Sequence, residues 1–209
     1  MNFESKLISG QFVKRYKRFF VDVKIRGKTI TAHCPNTGSM DGLLKKGNRV
    51  WLTKTNNLKR KLKYTLQIIQ DKKSKVGVNT HLTNKIVLHA LENNLIKEFN
   101  KEIKIKPETK YGSSTRFDFL ITKKNLKIFL EVKNVTLSRV NGLAEFPDAI
   151  TSRGLKHINE LINAGQEGYK IFILFLIQRD DCKYFSIAKD IDIEYSNSLS
   201  KAVKKKLNI

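Results

Sequence analysis

Between Phe19 and Ile25 the apolar side chains of Phe19, Val21, Val23 and Ile25 fall on alternate residues, with Asp22 and Lys24 pointing the other way. A period of two is that of a strand with one buried face, and no helix gathers such a set on one side. Arg26-Gly27-Lys28 then supplies a turn into a further short run, 29–33. Similar runs at 11–16, 49–54 and 62–70 bring the number of short strands near the start of the chain to five. Five short strands in so little sequence predict a small barrel, and the oligonucleotide-binding (OB) type is the one that suits a basic surface.

The stretch from Asp71 to Gly77 is polar, charged and closed by glycine, so it reads as a connector. Beyond it the periodicity changes. Thr83 or Asn84 can cap a helix running to about Glu98, with Ile86, Val87, Ala90, Leu91 and Leu95 as its apolar stripe. Strands follow at 103–111, 115–121 and 127–135, then a helix from about Asp148 to Ala164 with Leu155, Ile158, Leu161 and Ile162 inward. The run 169–177 is almost wholly apolar, as in a strand buried on both faces, and a last helix over 192–207 carries Tyr195, Leu199, Val203 and Leu207. This order predicts an α/β domain after the barrel, with the division at 1–80 and 81–209.

The formal net charge is +22, and it is uneven: residues 1–80 hold 19 Lys/Arg against 4 Asp/Glu, residues 81–209 hold 22 against 15. Such a field draws in polyanions, and nucleic acid is the expected partner. The competing reading is a lysine-coated surface, since 32 of the basic residues are Lys and the chain is rich in Asn and Ile, a bias that AT-rich coding produces. Uniform drift would spread the excess evenly, so the asymmetry favours a binding surface on the barrel. Lys14, Arg15, Lys17 and Arg18 interleave with Phe12, Tyr16, Phe19 and Phe20, and Arg60, Lys61 and Lys63 precede Tyr64. Bases outward for phosphate and aromatics mostly inward is the expected division. No run approaches the roughly 20 apolar residues of a membrane span, and the start lacks a signal-peptide stretch. A cytoplasmic protein with no membrane partner is expected. Cys34 and Cys182 stand far apart without zinc spacing, and His33-Cys34 beside Pro35 reads as structural.

Chemistry concentrates in Arg116-Phe117-Asp118 and Glu131-Val132-Lys133. With a hairpin loop at 123–126, strand register puts Asp118 opposite Glu131 and Arg116 opposite Lys133. Like charges so placed destabilise a sheet unless a cation sits between the acids and an anion beside the bases. A divalent metal, Mg²⁺ or Mn²⁺, held by Asp118 and Glu131 together with a phosphate would serve, with Lys133 near the reacting group. The plainer alternative is a pair of diagonal surface salt bridges, Arg116 with Glu131 and Lys133 with Asp118.

These motifs, together with Arg15-Tyr16-Lys17-Arg18-Phe19, the segment His33 to Met40, Phe146-Pro147-Asp148-Ala149, Arg153-Gly154-Leu155-Lys156-His157 and Ile191-Asp192, resemble the sugar fermentation stimulation protein A family over nearly the whole chain. The resemblance implies an OB-like domain joined to a nuclease-like domain of the PD-(D/E)XK, restriction-endonuclease-like fold, with DNA, single- or double-stranded, as partner. Asp118, Glu131 and Lys133 match the acid, acid and lysine of that fold's motif. A Mg²⁺-dependent nuclease is one implied activity, and a non-catalytic DNA-binding regulator linked to sugar metabolism is the other; RNA is a further candidate partner. Where the family commonly has Glu before Ala-Leu this chain has His89, so Glu108 or Glu92 is the candidate helper acid. His157 is either a phosphate contact or a histidine of the helix surface.

Overall fold

In a computed structural model that describes residues 1–3, 5–100, 102–113 and 115–209, the alternating runs near the start are strands that close on themselves. β1 (Ile8–Tyr16), β2 (Phe20–Ile25), β3 (Lys28–His33), β4 (Arg49–Lys54) and β5 (Tyr64–Asp71) follow the hydrogen-bonded order β3-β2-β1-β4-β5. A parallel pairing of His33 with Thr65 joins β3 to β5 and completes a five-stranded OB-type barrel. Its core is the inward half of the alternation, including Phe12, Val21, Val23, Leu52, Leu66 and Ile69. Gly10 sits where β1 and β2 approach so closely that a Cβ would stand 2.5 Å from Val23 Cγ1 and 2.9 Å from Lys24 O. Any larger residue there would force the strands apart.

The segment expected to be a connector is instead a hairpin. Asp71 pairs with Ser74 across a turn at Lys72 and Lys73, and β6 (Ser74–Gly77) lies against β5. The charges occupy the turn, with Lys72 at φ 52°, while Val76 is fully buried. One apolar residue in four was too faint a period to announce a strand.

Contacts divide the chain into two compact units, and the barrel unit takes in residues 135–148 and 177–186 as well as 1–82. Within it, β10 (Leu143–Phe146) pairs with β12 (Tyr184–Ile187). Arg179, with its side chain only 3% exposed, fastens these segments to β5. It donates to Asp71 Oδ2 at 2.8 Å, to both carboxylate oxygens of Asp181 at 2.9 and 2.8 Å, and to Thr136 O at 3.0 Å.

The second unit comprises residues 83–134, 149–176 and 187–209. Its sheet has the order β11-β9-β8-β7, from β7 (Ile103–Tyr111), β8 (Thr115–Lys123), β9 (Leu126–Val135) and β11 (Lys170–Ile177). β7, β8 and β9 form an antiparallel meander, and with the helices α1 (Thr83–Glu92), α2 (Ser152–Gln166) and α3 (Ile193–Lys204) they make the α/β domain. Along β8 the alternation holds, with Phe117, Phe119 and Ile121 buried. In β11, Ile171 and Ile173 are buried and Phe172, Leu174 and Leu176 pack against the core of α1 and the sheet.

α1 ends at Glu92, six residues short of the expected Glu98. Asn94, at φ 55°, is the left-handed residue after the helix; its N–H bonds Leu91 O and the Leu95 N–H bonds Ala90 O, which together form a Schellman cap. Leu95 continues the periodicity yet is 68% exposed, and Phe99 takes its place in the core. α3 likewise stops at Lys204, before Lys206 at φ 69°, and its stripe uses Ala202 where Val203 was expected. Thr151 caps α2 by accepting from Gly154 N, and Asp192 caps α3 by accepting from Tyr195 N. No helix is long and apolar enough to cross a membrane among the described residues.

Replacing Arg179 by Ala would leave Asp71 and Asp181 facing each other without their shared cation. The expected outcome is a loss of about 3 kcal/mol of unfolding free energy, read from urea denaturation.

Candidate divalent-cation site and basic barrel surface

The β8–β9 hairpin has the expected register, with Lys123 opposite Leu126, Ile121 opposite Ile128 and Phe119 opposite Leu130. The turn is tighter than the four residues expected, because Lys123 and Leu126 pair and Lys124 takes φ 53°. At the next step, where Asp118 would face Glu131, a side chain enters the ladder: Asp118 Oδ2 accepts the Val132 N–H at 2.7 Å. Its Oδ1 accepts from Asn84 Nδ2, also at 2.7 Å, so the start of α1 steadies this carboxylate. The Thr83 hydroxyl donates to Asn134 Oδ1 at 2.9 Å and ties the same end of α1 to the end of β9.

Glu131 is buried, with a side chain only 4% exposed, and both of its strong contacts converge on one oxygen. Lys133 Nζ lies 2.8 Å from Oε1, and His157 Nδ1 on α2 lies 2.5 Å from the same atom. Oε2 is also buried and has no hydrogen-bond partner. Burial and the charge of Glu131 push Asp118 up to about 6 against the stabilising hydrogen bonds of Val132 and Asn84. Burial pushes Glu131 upward too, but Lys133 and His157 outweigh it and hold that carboxyl below its ordinary range. The two acids therefore titrate apart, as neighbouring carboxylates in a shared site do.

The diagonal salt bridges of the alternative reading are not the pairs observed. Lys133 binds Glu131, and Arg116 lies 3.8 Å from Glu108. Glu108 stands between the pairs Pro107–Phe119 and Thr109–Phe117, level with Asp118, but it takes φ 50° and leaves a carboxylate 59% exposed beside Arg116. The structure thus directs Glu108 toward Arg116, and the irregular backbone at this residue is the reason. Glu92 is exposed at the end of α1, and His89 engages Asn93 through Nδ1 at 3.2 Å. Among the described residues no group of three or more His, Cys, Asp or Glu is placed to hold a metal ion by itself.

Two members of the site have roles other than those expected from the sequence. Asn84 was read only as a cap, whereas it supplies the contact from α1. His157, expected as a phosphate contact or a surface histidine, is buried against Glu131. It falls at the spacing of Gly154, Ile158, Leu161 and Ala164, all buried. That inward stripe was the signal that this histidine faces the sheet.

On the barrel, the β1–β2 hairpin presents Lys17 and Arg18 at φ 48° and 60°, both exposed. Lys14 lies 3.7 Å from Asp22 and over the Tyr16 ring at 5.5 Å. Arg15, expected as a nucleic-acid contact, bonds main-chain carbonyls with its guanidinium: Asn36 O at 2.6 Å, Gly38 O at 3.0 Å, Ser39 O at 3.3 Å and Arg18 O at 3.0 Å. The aromatics also depart from the expected inward division, since Tyr16 is 37% and Phe19 48% exposed while Phe12 is buried. Tyr16 stacks on Phe20, with centroids 5.4 Å apart. In the 55–63 loop, Lys61 is exposed, whereas Lys63 donates to Asn57 O and Leu58 O and Arg60 to Thr65 Oγ1. Those two basic residues shape the loop. Cys34 is buried beside Met40, as a structural thiol.

Fold and site together define a two-domain protein in which an OB barrel with a basic hairpin is followed by an α/β domain carrying an acid, acid and lysine cluster around the buried Glu131. Residues 81–209 match the family model described as the sugar fermentation stimulation protein RE domain, and residues 13–78 match the SfsA N-terminal OB domain. The chain belongs to the sugar fermentation stimulation protein (SfsA) family. The sugar fermentation stimulation protein homolog of Pelagibacter ubique is 55% identical over 208 residues, covering 100% of this chain and 90% of that one. The homolog from a Ruegeria species is 44% identical over 94% of this chain and 86% of its own. The structure of Pyrococcus furiosus SfsA in complex with Ca²⁺ is similar at a TM-score of 0.90 and 28% identity, over 98% of this chain and 87% of that one.

Without a divalent ion the proton on Asp118 has a measurable effect. The folded chain holds this proton more tightly than the unfolded chain, so the group's contribution to stability is full below its ordinary value of 3.8 and is lost as pH rises through about 6. Asp118→Asn cannot ionise and escapes that loss. In chelator at pH 8 the variant is expected to be more stable than the parent by about 1 kcal/mol, once the poorer acceptor is allowed for, with the gap closing toward pH 4 in paired denaturation curves.

Proposed function

We propose that this chain is a DNA-binding protein whose α/β domain uses Asp118 and Glu131 to hold a divalent cation, Mg²⁺ or Mn²⁺, and hydrolyses phosphodiesters there. The observation that carries the reading is the buried, partnerless Oε2 of Glu131 beside a second carboxylate. A hard cation suits it, because Mg²⁺ takes one or two carboxylates and fills its remaining positions with water and substrate oxygens. Two acids without a third are therefore a sufficient donor set. The sequence Asp118, Glu131, Val132, Lys133 has the acid, acid-X-lysine spacing of the PD-(D/E)XK nucleases. The name of the Pyrococcus furiosus structure, which records Ca²⁺, adds support.

Bound there, a cation would polarise the phosphodiester and make water easier to deprotonate. The chain's own groups do the rest. Glu131 and Asp118 fix the cation's place, and the Lys133 ammonium offsets the negative charge that grows on the phosphate as the water oxygen bonds to phosphorus. The bond to the leaving sugar oxygen breaks, that oxygen takes up a proton, and the proton lost by water passes to solvent.

The barrel contributes affinity. Lys14, Lys17, Arg18 and Lys61 offer phosphate contacts, and the exposed rings of Tyr16 and Phe19 offer stacking faces to unpaired bases. A second reading, a non-catalytic DNA-binding regulator, is favoured by α1: His89 stands where the family commonly has Glu and engages Asn93, and the helix offers Asp118 only the Asn84 amide.

Incubation of the protein with single-stranded, duplex and branched DNA and Mn²⁺, beside Asp118→Ala, separates the two. Cleavage by the parent alone supports the enzyme; no cleavage with unimpaired DNA binding by both favours the regulator. For the barrel, Tyr16→Ala/Phe19→Ala should weaken single-stranded DNA binding about tenfold in fluorescence anisotropy while leaving the salt dependence unchanged, because the cations remain.

A further inference from the structure

We infer that His157 is a positioning residue that holds Glu131 for the cation and thereby releases Lys133 to act on the substrate. The inference rests on the cation reading above and extends it to a residue outside the acid, acid-X-lysine motif. His157 is buried on the inward stripe of α2, and its ring stands edge-on to Phe117, at 84° and 6.3 Å between centroids. That packing fixes the ring plane and directs Nδ1 at Glu131 Oε1.

The geometry carries a problem that His157 resolves. Lys133 and His157 share Oε1, and Oε2 has no partner. If Lys133 were the sole protein partner of a carboxylate this deeply buried, its ammonium could not turn toward a phosphate without leaving the acid without a hydrogen bond from the chain. A second donor on the same oxygen removes that conflict. With His157 retained, Glu131 keeps its orientation and one hydrogen bond, Oε2 stays available for a cation, and Lys133 is free to change partner. Fixing the orientation of a ligating carboxylate by such a donor typically changes metal affinity by 10- to 100-fold, about the effect expected here.

The test uses the full chain and Mn²⁺ alone, with free ion counted by electron paramagnetic resonance. His157→Phe keeps a ring against Phe117 and removes the donor; it should bind Mn²⁺ about tenfold or more weakly at a temperature where its denaturation curve in chelator shows it fully folded. His157→Asn places an amide N–H where Nδ1 was and should restore affinity to within about threefold of the parent. Should His157→Phe not fold, His157→Ala takes its place, with added imidazole expected to recover binding. Unchanged affinity in the Phe variant, or no recovery by Asn or imidazole, overturns the role of His157 and leaves the cation site standing. Failure of the parent itself to bind Mn²⁺ overturns the cation reading, and this inference with it.

Discussion

A carboxylate buried in the second unit sets the terms for everything around it. Glu131 lies in a strand whose residues from Ile128 to Val132 are all buried, and an ionised acid in that setting is tolerated only with opposite charge and hydrogen bonds at hand. Lys133 supplies the first from two residues along the same strand, and His157 the second from α2. The position of α2 is thus tied to an electrostatic requirement as well as to apolar packing. The chain of caps continues it, since Asp192 accepts the Thr151 N–H at 2.8 Å while also capping α3. Displacing either helix would disturb the donor to Glu131.

Asp118 meets the opposite circumstance. Its partners are neutral donors, Val132 N–H and the Asn84 amide, and its nearest charged influence includes another acid. One carboxyl is therefore kept ionised and the other poised to gain or lose a proton near neutrality. The contrast arises from which helix each carboxylate meets, because Asp118 takes the Asn84 amide from α1 and Glu131 takes His157 from α2. An apolar sheet has been made to hold two acids with different habits, using one lysine, one histidine and one amide.

Much of this was legible in the chain itself. Alternation marked β1 to β5 because each strand has one inward face, and a hairpin loop centred within 123–126 gave the β8–β9 register even though Lys123 and Leu126 themselves pair. Asp118, Glu131 and Lys133 stood out because strand geometry puts like charges in apposition. What escaped was governed by local backbone. The helix after Thr83 stopped at Asn94 although Leu95 kept the period, and Glu108 left its face through one positive φ. The hydrogen bonds of Arg15 could not be read from charge, since all but the one to Arg18 O go to main-chain carbonyls of a turn more than 20 residues away. His157 was visible as periodicity, but its meaning depended on which strand the helix would cover.

The barrel closes through one registered pairing, His33 with Thr65, whereas its other neighbouring strands share ladders of several residues. Backbone bonding is thinnest at that seam. Thermal opening of the barrel should begin there, so the amides bordering β3 and β5 would exchange with solvent sooner than those of β1, which has a strand on either side. A cylinder with one weak stave line can widen without unfolding, and its fluctuations are given a direction by the topology alone.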